Sequence, residues 1–319
     1  ARVKIEALKA GMIATRESGA FTIRKLYRTY YVNVNTGDDS RTRDEATSKN
    51  TPWQTITHAL SSAEAGETIR VMGGTYSVLE TFPLTLEVNR KLEGYDGVAL
   101  ISGVAGKDTI QVKSNSSIQG VTIKNPFEGT SDTYYAVRFL GENGVIRNCT
   151  IEAWYGIRVE NENGIEIVSN EVRVALADYG YGIYVYGAAA DNLRVIGNTI
   201  SGEGLQLIKT ELSGTDNLVF RGNTFYKGNI GGSCLYIDEG TSITVEGNTF
   251  DGIYSAGIYT HQACDNLQIV SNEIRNRRPP NPTNGIFMNS GTSNDVFINN
   301  NKIYRDYPTT TACYGIRFL

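Results

Sequence analysis

One phrase returns six times along the second half of this chain: an apolar residue, another two positions on, Asn three further, and an apolar residue two beyond that. It reads Ile165, Ile167, Asn170, Val172, then Leu193, Val195, Asn198, Ile200, then Leu218, Phe220, Asn223, Phe225. Ile243, Val245, Asn248, Phe250 follow, then Leu267, Ile269, Asn272, Ile274, and last Val296, Ile298, Asn301, Ile303. The Asn residues stand 28, 25, 25, 24 and 29 apart, too regular for chance and too variable for helical repeats, so the phrase predicts a stacked-coil solenoid.

The solenoid should be built of strands, because apolar residues two apart share one face of an extended chain, whereas a helix would space them by three and four. A second phrase, Gly-Ile-x-apolar, accompanies the first at Gly156-Ile157, Gly182-Ile183, Gly257-Ile258 and Gly285-Ile286. Each coil is therefore expected to supply at least two short strands. Equivalent strands should stack as parallel sheets about 4.8 Å apart, with the small Gly permitting a tight bend before the second strand. An inward Asn at a turn would bond the backbone or amide of the next coil, so that a buried polar group is satisfied only because the repeat continues. In the first coils the aligned positions hold Val121 and Cys149, and the ladder stops there.

Length and composition fit this reading. A chain of 319 residues often makes two domains, yet a solenoid grows by adding coils and needs no second core. With 34 Gly, 19 Tyr and 20% charged residues, the surface should be polar rather than ionic. A net charge of −4 without a basic run argues against nucleic-acid binding, and no stretch is long and apolar enough to span a bilayer. Cys149, Cys234, Cys264 and Cys313 fall in different coils with poor geometry for pairing and are read as reduced. No Cys/His spacing suggests zinc.

Residues 1–29 lie outside the coil grammar and read as two short strands, Val3 to Leu8 and Phe21 to Tyr27, forming a flap or the remnant of an upstream domain. Residues 30–319 form the solenoid, with ladder-bearing coils from about 118 onward. Residues 52–63 are expected to be a helix with Thr51 as N-cap and Pro52 first, closing the open end of the core. The sequence stops inside a strand phrase, Ile316-Arg317-Phe318-Leu319, and a bare apolar coil calls for a longer natural chain or an oligomeric partner.

Coils of this length with an Asn ladder resemble the right-handed parallel β-helix of the pectate-lyase-like superfamily, which includes polysaccharide lyases, uronate epimerases, glycosidases and phage tailspikes. The stretch from Tyr31 to Gly103 adds to this, through Thr51-Pro52-Trp53-Gln54-Thr55-Ile56, Ala65-Gly66-Glu67-Thr68-Ile69, Gly74-Thr75-Tyr76 and Thr81-Phe82-Pro83-Leu84. It is similar to the opening segment of many extracellular β-helix proteins. The resemblance covers about nine tenths of the chain, is specific for fold only, and implies an extracellular or virion-surface protein. Neither the Asp-Pro-His motif of mannuronan epimerases nor the motif set of polygalacturonases is present.

Function should therefore lie on the outer surface. Anchoring the second strands on Val137, Ile157, Ile183, Ile208, Leu235, Ile258, Ile286 and Ile316 produces two outward columns. One runs Arg138, Arg158, Tyr184, Lys209, Tyr236, Tyr259, Phe287, Arg317; the other runs Leu140, Glu160, Tyr186, Glu211, Asp238, His261, Asn289, Leu319. In the fourth coil Leu205 competes with Ile208 as anchor, and Ile208 is preferred because it follows Asn198 at the interval by which Ile258 follows Asn248.

This register gathers Lys209, Glu211, Asp238, Tyr259 and His261 as candidate catalytic groups. Arg158, Glu160, Tyr184, Tyr186, Tyr236 and Asn289 line the groove as candidate substrate contacts. Aromatic faces and carboxylates suit an extended polysaccharide. For β-elimination or C5-epimerisation of a uronate, Lys209 would neutralise the sugar carboxylate while His261 and Tyr259 exchange protons, residue types similar to those of lyases and epimerases of the superfamily. For hydrolysis, Glu211 and Asp238 would share one proton. A third alternative is a non-catalytic adhesin or tail component. Tyrosines and charges on outward strand positions are also ordinary, and Tyr135, Tyr155 and Tyr181 read as stacking support. Calcium has two candidate donor groups, Asp38, Asp39 and Asp44 in a loop that reads as structural, or Glu211 with Asp238; no obligatory metal is expected.

Overall fold

The computed structural model describes residues 12–17, 20–126, 134–174, 180–188, 190–203, 205–212, 216–227, 232–253, 255–276, 283–289, 293–305 and 314–319, with side chains from residue 26 onward. It is a right-handed parallel β-solenoid. One face is a 10-stranded sheet to which each coil gives one strand, from Leu84–Leu86 through Tyr181–Gly187 and Gln206–Leu212 to Tyr314–Phe318. Two further short strands per coil form the other faces, as Glu166–Val168 and Glu171–Val174 do around Asn170. The sixfold phrase is thus two strands divided by a bend. At the bend, Ser169, Gly197, Gly222, Gly247, Ser271 and Asn300, each just before a ladder Asn, have φ between 52° and 64°. Gly, Asn and small polar residues enter this left-handed region at least cost, which explains what precedes each Asn.

Through the ladder coils the pairing keeps one register, for example Ile167 with Val195 and Val195 with Phe220. Inward side chains such as Ile167, Val195, Phe220 and Phe250 are wholly buried in one continuous core. Each such burial stabilises by about 2 kcal/mol, and Phe225 and Phe250 stack at 4.7 Å.

The ladder is continuous from Asn170 to Asn301. Asn170 N and Nδ2 donate to Asn198 Oδ1 at 2.8 and 3.0 Å, and the same paired donation recurs to Asn223, Asn248, Asn272 and Asn301. Each Nδ2 also reaches back to a carbonyl of the preceding coil, as Asn223 does to Val195 O at 2.8 Å. Below the ladder, Cys149 N donates to Asn170 Oδ1 at 3.0 Å. Cys149, Cys234 and Cys264 are free and buried, burial pushing their thiols up to about 11, 12 and 12; Cys313 lies outside the described residues.

The glycines of the second phrase serve a different purpose from the tight bend expected of them. A Cβ on Gly156 would lie 2.3 Å from Gly182 O, and one on Gly182 would lie 2.6 Å from Leu207 O and 2.8 Å from Ile200 Cγ2. Close approach of neighbouring coils, rather than a special dihedral, demands Gly there.

At the N-terminal end, Met12–Glu17 and Ala20–Lys25 pair as an antiparallel hairpin; the expected strand Val3 to Leu8 lies outside the described residues. The helix is shorter than expected, Ile56–Ser62, and its N-cap is Thr55 instead of Thr51. Trp53 N donates to Tyr31 O, Asn33 N donates to Trp53 O, and Asp38 N donates to Pro52 O, so Pro52 and Trp53 are held extended beside the first strand and helix begins only after them. Thr55 Oγ1 accepts from His58 N at 3.0 Å. Ile56, Ala59 and Leu60 are buried with Trp53 and Tyr30 against the first coils, as a cap requires. No helix among the described residues is long and apolar enough to cross a membrane.

Candidate functional site

The outward columns assemble on the 10-stranded sheet. Arg138, Arg158, Tyr184, Lys209, Tyr236, Tyr259, Phe287 and Arg317 pair in succession. Ile208 pairs with Ile183 and Leu235, so it is the anchor of its coil. Glu160, Tyr186 and Glu211 follow one another in the second column. Beyond them, His261 N donates to Ile237 O and Asn289 N to Thr260 O, which continues the column through Asp238, His261 and Asn289. Strand alternation puts the flanking Ile and Thr inside and these side chains outside.

Contacts within the columns form three groups. In the first, Arg138 bonds Glu160 at 2.8 Å and lies 3.8 Å from Asp108, and Arg158 lies 3.2 Å from Glu160. Arg158 also packs over the rings of Tyr135, Tyr184 and Tyr186 at 5.3, 5.6 and 5.7 Å.

In the second, Lys209 Nζ bonds Glu211 Oε1 at 2.5 Å, Tyr184 Oη donates to Glu211 Oε2, and Lys209 lies over Tyr181 and Tyr184. Burial alone would raise the Glu211 carboxyl, but the bonds from Lys209 and Tyr184 and the charge of Lys209 outweigh it and hold the carboxyl below its usual value. Burial would likewise lower Lys209, and its bond to Glu211 with the nearby negative groups raises it instead. Burial raises Tyr184, and its bond to Glu211 raises it further.

In the third, His261 Nδ1 lies 2.8 Å from Asp238 Oδ1. The His261 ring is 46% exposed and lies beside Tyr236 and Tyr259, at 5.9 and 6.3 Å. Asn289 Nδ2 donates to Tyr259 Oη at 2.8 Å, so the phenol oxygen is the acceptor in that bond. Tyr236 stacks on Tyr259 at 5.1 Å; burial first, then the charges of Asp238 and its neighbours, raise its pKa and keep it protonated.

Two expectations change. Glu211 is engaged by Lys209 and Tyr184, whose bonds hold its carboxyl below its usual value, and Asp238 is bonded to His261 instead of to Glu211. Tyr184 offers no free ring to a sugar, because it is 5% exposed and packs with Tyr135, Tyr155 and Tyr181, the three expected supports. The five candidate catalytic groups accordingly form two adjoining sets, Lys209–Glu211 and Asp238–Tyr259–His261.

Arg317 was legible in the column but not singled out. It lies over Phe287 and Tyr314 at 5.1 and 5.2 Å, and among the described residues it is the one cation of its column without a carboxylate partner. The loop aspartates serve the fold: Asp38 accepts from Ser40 N, Asp39 from Gln54 N, Thr55 N and Thr55 Oγ1, and Asp44 pairs with Arg28. Among the described residues, no three His, Cys, Asp or Glu side chains gather as a metal site.

The protein of Geobacillus virus E2, ORF18, shares this fold: 97% of this chain aligns to 68% of that chain at 16% identity and a TM-score of 0.61. The pectate lyase Pel9A aligns over 87% of this chain and 78% of its own at 14% identity and 0.57. The mannuronan C-5 epimerase AlgE6 A-module of Azotobacter vinelandii aligns over 82% and 84% at 15% identity and 0.54. At such identities the likeness is one of fold. Among curated protein sequences none matches. A family model described as a protein of unknown function (DUF1565) matches residues 36–98, and one described as a right handed beta helix region matches residues 135–317. Since that second match spans more than half of the chain, including every coil that carries the columns, the chain belongs to the right handed beta helix family.

Proposed function

We propose that this chain modifies an extended acidic polysaccharide, outside the cell or on a virion, by removing the C5 proton of a uronate unit. The observation that carries this reading is the Asp238–His261 bond of 2.8 Å beneath an exposed imidazole. With Nδ1–H donating to Asp238, Nε2 carries the lone pair that takes the C5 proton, and Asp238 stabilises the imidazolium that results. In elimination the electron pair forms the C4–C5 double bond, the C4–O bond breaks, and Tyr259 donates its proton to the leaving oxygen. In epimerisation Tyr259 gives its proton to C5 on the opposite face, and the proton held by His261 is returned to Tyr259 through solvent. Lys209, one coil before Asp238, and Arg317, two coils beyond His261, are the cations for the sugar carboxylate, and Lys209 would have to divide its ammonium between the sugar and Glu211. The pectate lyase and mannuronan epimerase among the similar folds support the substrate class.

A second reading is glycan binding without chemistry. It is favoured by the internal pairing of Arg138, Arg158 and Lys209, which leaves these charges little to offer a transition state. Hydrolysis is supported least, since Glu211 is held ionised.

Incubation with a panel of acidic and neutral glycans separates these readings. Unsaturated ends absorbing in the ultraviolet, or deuterium exchange at C5, are expected with an acidic glycan, and His261→Ala should lower either by about 100-fold or more with the fold intact by circular dichroism. New reducing ends without unsaturation, or binding without any change, would overturn the proposal.

A further inference from the structure

On the face that carries the Asp238–His261 dyad, Tyr186 is an exposed aromatic ring in the same outward column as the dyad. Tyr186 is 42% exposed, whereas Tyr184 is buried and Tyr236 and Tyr259 are partly covered. The Tyr186 ring is braced on its inner side: the Arg158 guanidinium lies 5.7 Å from its centroid and the Tyr184 ring 6.0 Å away. Those braces are themselves fixed, Arg158 by Glu160 at 3.2 Å and by Tyr135, and Tyr184 by its bond to Glu211. A ring held this way loses little side-chain freedom when something stacks on its open side. An isolated surface tyrosine needs no explanation, but this ring rests on two braces that three further residues hold in place, which fixes its open side.

Its position gives it a meaning. Tyr186, Glu211, Asp238 and His261 occupy four successive coils in one column. Three strand spacings, about 14 Å, therefore separate Tyr186 from the imidazole. One spacing is close to the advance of one pyranose unit along an extended glycan, so a chain lying parallel to the solenoid axis would meet one coil with each sugar.

We infer that Tyr186 is a distal stacking subsite, which holds the sugar three units from the one at His261 and makes a tetrasaccharide the shortest well-bound substrate. The inference rests on the reading of this face as a glycan groove. Glu211 and the Lys209 ammonium, lying between the ends, present polar edges to the hydroxyls of the intervening sugars. The occupant is a linear glycan, since only a chain with a repeat matched to the coil uses every position of the column.

The test is the length profile of kcat/KM and of calorimetric affinity, from disaccharide to hexasaccharide of the glycan that the panel identifies. The parent protein should gain about tenfold between trisaccharide and tetrasaccharide, Tyr186→Phe should keep that gain, and Tyr186→Ala should lose it. Turnover with the same step in Tyr186→Ala as in the parent would overturn the subsite and leave the proposed chemistry standing. Binding without turnover, weakened about tenfold for tetrasaccharide by Tyr186→Ala, would support the subsite and overturn the chemistry. Neither binding nor turnover of any glycan would overturn both.

Discussion

Glu211 shows how the meaning of a residue changes once its neighbours are known. As one of two nearby carboxylates it reads as a proton donor, yet with Lys209 on one oxygen and Tyr184 on the other it is an anchor that keeps a tyrosine and a lysine in place. Its carboxyl lies below its ordinary 4.5 in the folded chain, so the unfolded chain takes up the proton first as pH falls. The stabilisation is therefore fully present above about pH 4.5 and is lost as pH drops through the lower folded value. Solvent reaches part of the side chain, which limits the effect to about 1 kcal/mol or less, a melting shift of about 2 °C. Glu211→Gln should melt below the parent at pH 7, with the gap closing as pH falls below 4.5. A gap that stays constant down to full protonation would mean that the ion pair contributes nothing.

Among the elements, the ladder is the one whose energetics follow most directly from its geometry. Asn223 Oδ1 accepts from Asn198 N and Nδ2, while its Nδ2 donates to Val195 O and Asn248 Oδ1. Truncation orphans groups on both neighbouring coils in a dry interior, so Asn223→Ala should cost about 3 kcal/mol, whereas Asn301→Ala, at a partly exposed rung, should cost about 1 kcal/mol. Denaturant midpoints measure both, and equal losses would show that the rungs do not depend on burial. These rungs were legible in the sequence because repetition multiplies a weak signal: six phrases fix one register, and from it both outward columns follow. What repetition could not supply is the conformation of single side chains. Tyr184 stands at an outward position like Tyr236 and is nonetheless buried, because Tyr181, Lys209 and Arg158 close over it. The helix start was misplaced for a similar reason, since the pull of Tyr31 on Trp53 is a contact between segments that local capping rules do not see.

For the whole molecule, the solenoid makes stability nearly one-dimensional: each coil touches only the coils before and after it, so damage at one end should stay there. The cap is the place to test this. Trp53 is fully buried, stacks on Tyr30 at 4.8 Å and donates from Nε1 to Arg41 O at 2.8 Å, holding the loop that leads into the helix Ile56–Ser62. Trp53→Ala should cost about 3–5 kcal/mol locally by opening a cavity beneath the cap. In a globule of one core that loss would lower the protection of every slow amide alike. In a stack it should strip hydrogen-exchange protection from the first strands, Thr29–Val32, Thr68–Tyr76 and Lys91–Ser102, and leave the ladder coils between Leu193 and Ile274 as slow as before. Mass spectrometry of peptides from the two regions reads the difference, and a uniform loss along the chain would show that the coils unfold as a single cooperative unit. Local fraying is also what would leave the coils of Tyr186 and His261 intact, because each is paired with a coil on either side, away from the cap.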